Sequence, residues 1–453
     1  MPNTLADWLS YLESLHPKTI ELGLTRVAQV KERLALQPDF PVIVVGGTNG
    51  KGSVCAMLES ILHAAGYKVG CYTSPHLLHY NERVRIAKKQ ASDAELCASF
   101  ESIEQARGET ALTYFEFGTL AAMSLFVGHK VDVAILEVGL GGRLDAVNVF
   151  DADCAVVTSV DIDHVDYLGD TREQIAFEKA GIFRKGRVAI CADPDVPQAI
   201  RDHAREIGAE LWCIGKEFGF SLPSPASGRG AGGEGRTVIT LSRPDGHPLP
   251  QAGEGRVQWD FFGKSGSRTS LPIPALRGAF QLHNASAVLA ALDALKDRLP
   301  VNMDAVRRGL IEVQLAGRFQ FVPGRPQLIL DVAHNPHAAR SLAQNLGSLP
   351  PAKTFAVFAM LKDKDMAGVV RMLDPHVDVW LVAGLDMPRG ASAAELTRVL
   401  GDCGVHGAVR TFETVAEALR LACNEAGEND RIAAFGSFHT VAEAMQAREL
   451  SVN

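Results

Sequence analysis

The chain has 453 residues, 47% of them hydrophobic, a length and an apolar content that predict two domains with ordinary cores. Its 53 acidic and 45 basic residues give a formal charge of −8, which argues against a nucleic-acid-binding surface. Eight cysteines are scattered without a C-x-x-C pair, and neither a secretory leader nor an 18-residue apolar run occurs. We therefore expect a cytoplasmic protein that neither crosses a membrane nor binds nucleic acid.

The first part of the chain, from 41 to about 215, alternates short apolar runs with amphipathic stretches. The run PVIVVGG (41–47) predicts a buried strand, and SVCAMLESILHAAG (53–66) predicts a helix that ends at its glycine. The predicted apolar face of this helix consists of Val54, Met57, Leu58, Ile61, Leu62 and Ala65. Further strands are predicted at 68–74, 131–139, 154–161 and 187–193. This alternation indicates an α/β domain with a doubly wound, mostly parallel sheet.

A segment between about 221 and 267 has a different composition. It contains PSPASGRGAGGEGR (223–236) and PLPQAGEGR (248–256), with a short strand-like stretch, TVITLS (237–242), between them. So few apolar groups do not offset the entropy of ordering the chain. The composition predicts a flexible Gly- and Pro-rich insert, or alternatively a hairpin inserted at the surface, without a catalytic role.

The α/β pattern continues after the insert. Two helices are predicted at 283–299 and 303–317, followed by strands at 327–333, 355–361, 377–384 and 431–437. We expect a first domain over 1–314 and a smaller, Rossmann-like α/β domain over 315–453.

The stretch GGTNGKGS (46–53) lies between the first predicted strand and the first predicted helix. Its glycines allow backbone N–H groups to surround phosphate oxygens, and Lys51 adds a positive charge at a helix N-terminus. It departs from the common pattern G-x-x-x-x-G-K-[ST], because Val45 replaces the first glycine and Gly52 follows the lysine. The stretch indicates a phosphate-binding loop of an unusual form.

Other predicted strands also end in polar residues, and such ends meet at one edge of a parallel sheet. Ser74 either offers its hydroxyl to Mg²⁺ or caps a helix. Glu137 either binds Mg²⁺, which prefers a carboxylate together with phosphate oxygens, or faces solvent. After the next strand come residues typical of either a metal or phosphate contact or a surface turn: Asp161, Asp163, His164 and Asp166.

A series of motifs in this order resembles the bifunctional dihydrofolate synthase/folylpolyglutamate synthases of the Mur ligase superfamily. The motifs are GTNGKGS, TSPHL, TYFEFGTLAA, EVGLGGRLDA, DHVDYLG, FEKAGIF, GRFQ, DVAHNPHA and GSFHT. In that superfamily the loop has the form G-T-x-G-K-G-[ST], so Gly52 is a family trait. The resemblance implies an ATP- and Mg²⁺-dependent ligase that adds L-glutamate to dihydropteroate and to reduced folates through an acyl phosphate.

The resemblance also implies roles for individual residues. The nucleotide would be held by Thr48, Asn49, Gly50, Lys51, Ser53, Asn284, Arg318 and Asp331. The Mg²⁺ ligands would be Ser74, Glu137 and His164. Lys179, which from its helix alone would be a surface lysine, would carry a carbamate formed with CO₂. Lys51, His164 and Lys179 would be the catalytic residues.

The substrates would lie against two further sets of residues. The pterin would contact Thr19, Ile20, Glu21, Leu22, Thr113, Tyr114, Phe115, Glu116, Leu144 and Asp145. The incoming glutamate would contact His334 and Ser437. Ser437 stands where a strand turns into a helix, which is either an anion site or only a capped turn.

Two other functions remain open at this point. One is a Mur-type ligase that joins an amino acid to a cell-wall precursor, although HPKTIELGLTRV (16–27) and TYFEFGTL (113–120) favour the folate branch. The other is an ATP-binding regulator or scaffold without ligase activity. The sequence leaves undecided whether both synthase activities are present, and we expect a monomer because the family favours one.

Overall fold

The computed structural model describes residues 2–16, 20–222, 258–278 and 280–452. Its largest sheet contains β1 (Val42–Gly46), β2 (Val69–Tyr72), β3 (Val84–Ile86), β4 (Lys89–Gln90), β5 (Val133–Glu137), β6 (Cys154–Val157), β7 (Val188–Cys191) and β8 (Glu210–Cys213). The strand order is β4-β3-β2-β5-β1-β6-β7-β8, and β3 pairs antiparallel with both β2 and β4, whereas the other pairs are parallel. The doubly wound, mostly parallel sheet predicted from the sequence is confirmed.

Helices cover both faces of this sheet, which gives the first lobe two apolar cores. They are α1 (Leu5–Leu15), α2 (Thr25–Arg33), α3 (Lys51–Ala64), α4 (Asp93–Arg107), α5 (Tyr114–His129), α6 (Val165–Leu168), α7 (Arg172–Ala180) and α8 (Gln198–Ile207). The sequence predicted one apolar face for helix α3, but every residue from Ser53 to Leu62 is buried. The reason is that it lies between the sheet and two later helices, α9 (Gln281–Ala294) and α10 (Met303–Glu312). At Gly309 of α10, a Cβ atom would lie 2.5 Å from Ile61 Cα.

A small antiparallel sheet lies beside α9 and consists of β9 (Gly219–Ser221), β10 (Gln258–Gly263) and β11 (Gly266–Pro272). The flexible insert predicted over about 221–267 is therefore wrong for 258–267, which belongs to an ordered hairpin. Trp259, Phe261 and Leu271 are fully buried in the core that also contains α3. The most Gly- and Pro-rich stretches, and the strand-like 237–242, lie outside the described residues.

The second lobe contains a separate sheet of β12 (Gln320–Val322), β13 (Gln327–Asp331), β14 (Thr354–Phe358), β15 (Val379–Ala383), β16 (Ala408–Phe412) and β17 (Arg431–Phe435). Its order is β12-β13-β17-β14-β15-β16, with only β12 antiparallel. Its helices are α11 (Pro336–Gly347), α12 (Met366–Leu373), α13 (Ala393–Cys403), α14 (Val415–Glu425) and α15 (Phe438–Ala447). The predicted α/β character of this region is confirmed, whereas β12 and β16 were not predicted because they are short or exposed.

Within the described residues, no helix is both long enough and apolar enough to cross a membrane.

Candidate functional site

A cavity of about 710 Å³ lies between the carboxyl ends of the first sheet and the second lobe. Every residue that the sequence assigned to the nucleotide, the metal, the carbamate or the glutamate lines this cavity. These residues are Thr48, Asn49, Gly50, Lys51, Ser53, Ser74, Glu137, His164, Lys179, Asn284, Arg318, Asp331, His334 and Ser437. The fold thus brings together side chains from both lobes that are far apart in the sequence.

The loop before α3 is a tight turn that depends on glycine. Gly50 has φ +88°, and a Cβ atom there would lie 2.7 Å from Asn284 Oδ1. Lys51 Nζ donates to the carbonyls of Gly47 at 3.0 Å and Thr48 at 3.1 Å. The lysine and the N-terminus of α3 therefore stand beside the same loop, an arrangement suited to binding phosphate.

Residues after β6 fix the shape of this loop. Thr158 Oγ1 donates to the carbonyl of Asn49 at 2.6 Å, and Asn49 N donates to Ser159 Oγ at 3.0 Å. Thr48 Oγ1 accepts from Asp161 N at 3.0 Å. A loop held in this way requires little rearrangement when it binds an anion.

The tips of β2 and β5 place a hydroxyl residue beside a carboxylate. Ser74 N donates to Glu137 Oε2 at 3.1 Å, and Glu137 is only 4% exposed. Burial raises the pKa of Glu137, while the charge of Lys51 opposes the shift. Within the described part of the chain, no three His, Cys, Asp or Glu residues cluster as a protein-only metal site. The residues present nonetheless fit Mg²⁺, which binds through one or two carboxylates and takes its remaining ligands from phosphate oxygens and water.

His164 and Asp163 form the third corner of the cavity. Burial lowers the pKa of His164 to about 4, despite the neighbouring Asp163 carboxylate, so the imidazole is neutral at pH 7. A neutral ring nitrogen is the form that binds metals. Burial alone would raise the pKa of Asp163, but His164 and Lys364 lower it. Asp163 therefore stays ionised beside the candidate metal ligand.

Lys179 lies at the end of α7 and is only 3% exposed, so the surface position expected from its helix alone is wrong. Desolvation, followed by the charge of Lys51, lowers its pKa to about 7. A substantial fraction of the amine is thus unprotonated at neutral pH, which is the nucleophilic form.

Arg318 and Asp331 come from the second lobe and are partly buried where they line the cavity. Burial lowers the pKa of Arg318, while the carboxylates of Asp331 and Glu137 oppose that shift. Asp331 accepts hydrogen bonds from the backbone N–H groups of Phe319 and Ala333, both at 2.8 Å. The guanidinium lies 5.1 Å from the ring centroid of Phe438. Arg318 is therefore a fixed positive charge that faces the loop of the first lobe.

The two residues assigned to glutamate differ in how free their side chains are. His334 Nδ1 donates to the carbonyl of Val332 at 2.8 Å, which leaves Nε2 as the available nitrogen. Burial lowers the pKa of His334 to about 4. The Ser437 hydroxyl accepts from Thr440 N at 3.0 Å and pairs with Thr440 Oγ1 at 2.7 Å. Its hydroxyl thus caps α15, as the capped-turn alternative for this motif expected.

The residues assigned to the pterin lie together but do not line the cavity. Gly23 N donates to the carbonyl of Leu144 at 3.1 Å, and Arg26 joins Glu116 at 3.1 Å. Thus residues 20–22, 113–116 and 144–145 form one patch. A Cβ atom on Gly139, which lines the cavity, would lie 2.6 Å from the ring of Phe115. The patch is therefore beyond this wall, and Thr19 lies outside the described residues.

Asp145 is one of two buried acids of this patch, the other being Glu116. Asp145 is 3% exposed and accepts hydrogen bonds from Leu140 N at 2.8 Å and Val147 N at 3.0 Å. Burial raises its pKa to about 7 in spite of these bonds. The carboxyl therefore exists in both protonation states near neutral pH.

Three residues at the boundary between the lobes received no role from the sequence. Lys364 Nζ lies 2.7 Å from Asp163 Oδ1, and Asn335 Nδ2 donates to Asp163 Oδ2 at 3.1 Å. Asn49 Nδ2 donates to His337 Nδ1 at 2.8 Å and to Asn335 Oδ1 at 3.3 Å. The motif DVAHNPHA contained Asn335 and His337, whereas no sequence signal marked Lys364.

Comparison with known families identifies the class of protein that has this arrangement. The model of the Mur ligase middle domain matches residues 45–221, and that of the Mur ligase glutamate ligase domain matches residues 317–438. The two matches contain the phosphate-binding loop and the second-lobe side of the cavity. Fold and site are thus those of a Mur-type ligase.

Similar proteins of known function show which branch of the Mur ligases this chain belongs to. The dihydrofolate synthase/folylpolyglutamate synthase of Escherichia coli (strain K12) is 45% identical over 98% of this chain and 95% of its own length. The chain therefore belongs to the dihydrofolate synthase/folylpolyglutamate synthase family of Mur ligases.

Solved structures agree with this assignment. E. coli FolC in complex with DHPP and ADP is 44% identical and superimposes with a TM-score of 0.88 over 99% of both chains. A bifunctional folylpolyglutamate synthase/dihydrofolate synthase with Mn, AMPPNP and L-glutamate bound is 45% identical, with a TM-score of 0.85 over 99% of this chain and 98% of that one.

Proposed function

We propose that this protein is an ADP-forming ligase that joins L-glutamate to the carboxyl group of dihydropteroate and to the glutamate tail of reduced folates. The observation that carries this function is the single cavity that contains the loop with Lys51, the acid Glu137 and the second-lobe residues Arg318 and Asp331. The similar structures hold ADP with DHPP, and AMPPNP with L-glutamate, in the same fold.

The chemistry requires activation of a carboxylate, which is a poor electrophile. A carboxylate oxygen attacks the γ-phosphorus of ATP, ADP leaves, and an acyl phosphate forms. The α-amine of glutamate then attacks the acyl carbon, the amide forms, and phosphate and a proton are released. Lys51 and the N-terminus of α3 hold the phosphates, and Arg318 adds charge from the opposite lobe, so positioning and electrostatics supply the catalysis. A site divided between two lobes can close over the nucleotide and exclude water that would hydrolyse the acyl phosphate.

The candidate ligands Ser74, Glu137 and His164 would hold the divalent ion, which supplies charge neutralisation on the phosphates when bound. We further propose that Lys179 reacts with CO₂ to form a carbamate. Its buried amine, with a pKa of about 7, supports this modification. Carbamate formation releases a proton and places a negative charge on this side chain, which would help to attract a divalent ion into the cavity.

We propose the substrate sites that the family resemblance implies. The pterin is proposed to lie against the patch that contains Phe115 and Asp145, and the glutamate near His334 Nε2. The protein is proposed to act as a cytoplasmic monomer with domains 1–314 and 315–453.

A coupled ADP-release assay tests this function. The purified protein, ATP, Mg²⁺ and L-glutamate would be combined with dihydropteroate, tetrahydrofolate or a cell-wall nucleotide precursor. We expect ADP release with both pteridines and none with the wall precursor. ADP release with the wall precursor alone would establish the rival ligase, and no release with any acceptor would leave an ATP-binding protein without ligase activity.

A further inference from the structure

The loop 73–79 connects β2 to the short helix Tyr80–Arg83, and its role is assigned only at Ser74. At that end the loop touches the candidate metal site, because Ser74 N donates to Glu137 Oε2 at 3.1 Å. The middle of the loop contacts the second lobe, and the chain then returns to the first lobe at Tyr80.

One buried carboxylate determines the path of this loop. Glu82 Oε2 accepts from Leu77 N at 2.8 Å, and Oε1 accepts from Leu78 N and His79 N, both at 2.7 Å. Glu82 is 7% exposed. Three short hydrogen bonds to one charged group are stronger than the same bonds to a neutral acceptor. Glutamine cannot replace this group fully, because its NH₂ would face a backbone donor.

A partly buried arginine, Arg85, links the loop to the helix that follows the phosphate-binding loop. Arg85 Nη1 donates to the carbonyl of Glu82 at 2.8 Å and to Thr73 Oγ1 at 3.1 Å. Its Nε and Nη2 donate to Glu59 Oε2 of α3 at 3.0 Å and 2.9 Å. Because α3 begins at Lys51, the loop and the phosphate site share one support.

The middle of the loop contacts the second lobe. Leu77 and Leu78 pack against the apolar core of that lobe, which includes Val332 and Val441. Leu77 Cδ1 lies 3.7 Å from the position of a Cβ atom on Gly317, next to Arg318. The loop 73–79 thus contacts the candidate metal site through Ser74 and lies beside Gly317, the residue before Arg318, through Leu77.

We propose that Glu82 is a positioning residue that couples docking of the second lobe to divalent-ion binding. Its carboxylate fixes the backbone of 77–79. Leu77 therefore packs against the second lobe only when the Ser74 N–H is bonded to Glu137. This inference rests on the proposed function insofar as it takes the Ser74–Glu137 corner to be the ion site.

The test compares Glu82→Gln with Glu95→Gln, which removes a carboxylate that accepts from Ser92 N and Oγ at the exposed N-terminus of α4. Hydrogen–deuterium exchange would follow the amides of 77–79, and electron paramagnetic resonance would follow Mn²⁺ binding with a non-hydrolysable ATP analogue. In Glu82→Gln we expect exchange about tenfold faster and Mn²⁺ half-saturation at about tenfold higher concentration. We expect neither change in Glu95→Gln.

Faster exchange with unchanged Mn²⁺ binding would overturn the coupling and leave Glu82 a purely structural residue. A second variant, Leu77→Ala, weakens only the second-lobe end of the loop and keeps Glu82. We expect it also to raise the Mn²⁺ concentration for half-saturation, and an unchanged value would overturn the proposal even if Glu82→Gln does not fold. Absence of Mn²⁺–nucleotide binding by the unmodified protein would instead contradict the proposed function. In that case, the hydrogen–deuterium exchange of 77–79 in Glu82→Gln would still show whether Glu82 fixes this backbone.

Discussion

At the scale of single residues, burial determines the chemistry of this site. Lys179 and Glu137 belong to types that are almost always charged, yet desolvation shifts the pKa of each towards its neutral form. His164 and His334 are neutral for the same reason. Groups with such shifted pKa values cluster at functional sites more often than elsewhere. In this protein they all line one cavity.

The pKa of Lys179 gives a prediction for its modification. Because the pKa is about 7 rather than 10.5, the neutral amine becomes more abundant as the pH rises from 6 to 8. At a fixed concentration of dissolved ¹³CO₂, the carbamate signal in ¹³C NMR should increase over this range. Lys179→Arg, which stays protonated, should show no such signal. An equal signal from both proteins would place the carbamate on another amine.

Lys51 gives a second residue-scale prediction. Its Nζ donates only to the loop carbonyls of Gly47 and Thr48 among the hydrogen bonds of the described residues. Lys51→Ala should therefore reduce kcat/KM for ADP release by about 10³-fold or more, with the fold intact. The exposed Lys89→Ala is the matched control and should keep full activity. Normal turnover by a well-folded Lys51→Ala protein would refute the role of the loop.

At the scale of elements, the hairpin β10–β11 supports the helix that carries Asn284. Its inward side chains pack on the same core as α3 and α9, and Arg268 forms an ion pair with Asp293 of α9. This explains why a segment next to a Gly-rich stretch is ordered. Three apolar residues of 258–272, Trp259, Phe261 and Leu271, are buried in one core, and α9 covers that side of the hairpin.

Truncation in this hairpin should reduce stability. Phe261 is fully buried, so Phe261→Ala should lower the free energy of unfolding by about 3–5 kcal/mol. Urea denaturation would measure the change. Lys264→Ala, at the exposed turn of the same hairpin, removes a surface ion pair with Glu210 and a cation–π contact with Trp212, and should cost about 1 kcal/mol. Similar losses in the two variants would contradict the packing described for β10.

At the scale of the whole molecule, polar contacts across the cavity join the two lobes. Asp163 of the first lobe is bonded to Lys364 and Asn335 of the second, and Asn49 in the phosphate-binding loop is bonded to His337. Asp163 immediately precedes the candidate metal ligand His164. Contacts that form only when the lobes dock are therefore located directly beside the nucleotide site.

The Asp163–Lys364 pair gives a prediction at this scale. Both side chains are largely buried, at 11% and 8% exposed, so removing one charge leaves the other uncompensated. Lys364→Met should reduce kcat/KM by about 10²-fold and increase the radius of gyration in solution scattering. Arg410→Met breaks an exposed pair with Glu425 within the second lobe and is the control. Unchanged kcat/KM in Lys364→Met would exclude a role for this pair in lobe docking.

The sequence by itself determined the features that are local along the chain. Apolar runs and periodicity predicted β1, β2, β5, β6 and β7 of the first sheet, β13, β14, β15 and β17 of the second, and helices α3, α9 and α10, because a strand or helix is specified by residues within a few positions of one another. The parallel strands β8 and β16 were not predicted. The loop at 46–53 was recognisable for the same reason, since its glycines and Lys51 are contiguous. Strand ends then placed Ser74, Glu137 and His164 at one edge of the sheet.

Only the tertiary structure decided what depends on distant contacts. Lys364 and Asp163 are 201 positions apart, and no local pattern marks either as a partner of the other. The burial of Lys179, the hairpin at 258–272 and the three N–H groups on Glu82 likewise depend on which surfaces meet. Desolvation and packing are properties of the assembled chain, so the charges and orientations that make the cavity chemically active arise only when both lobes are in place.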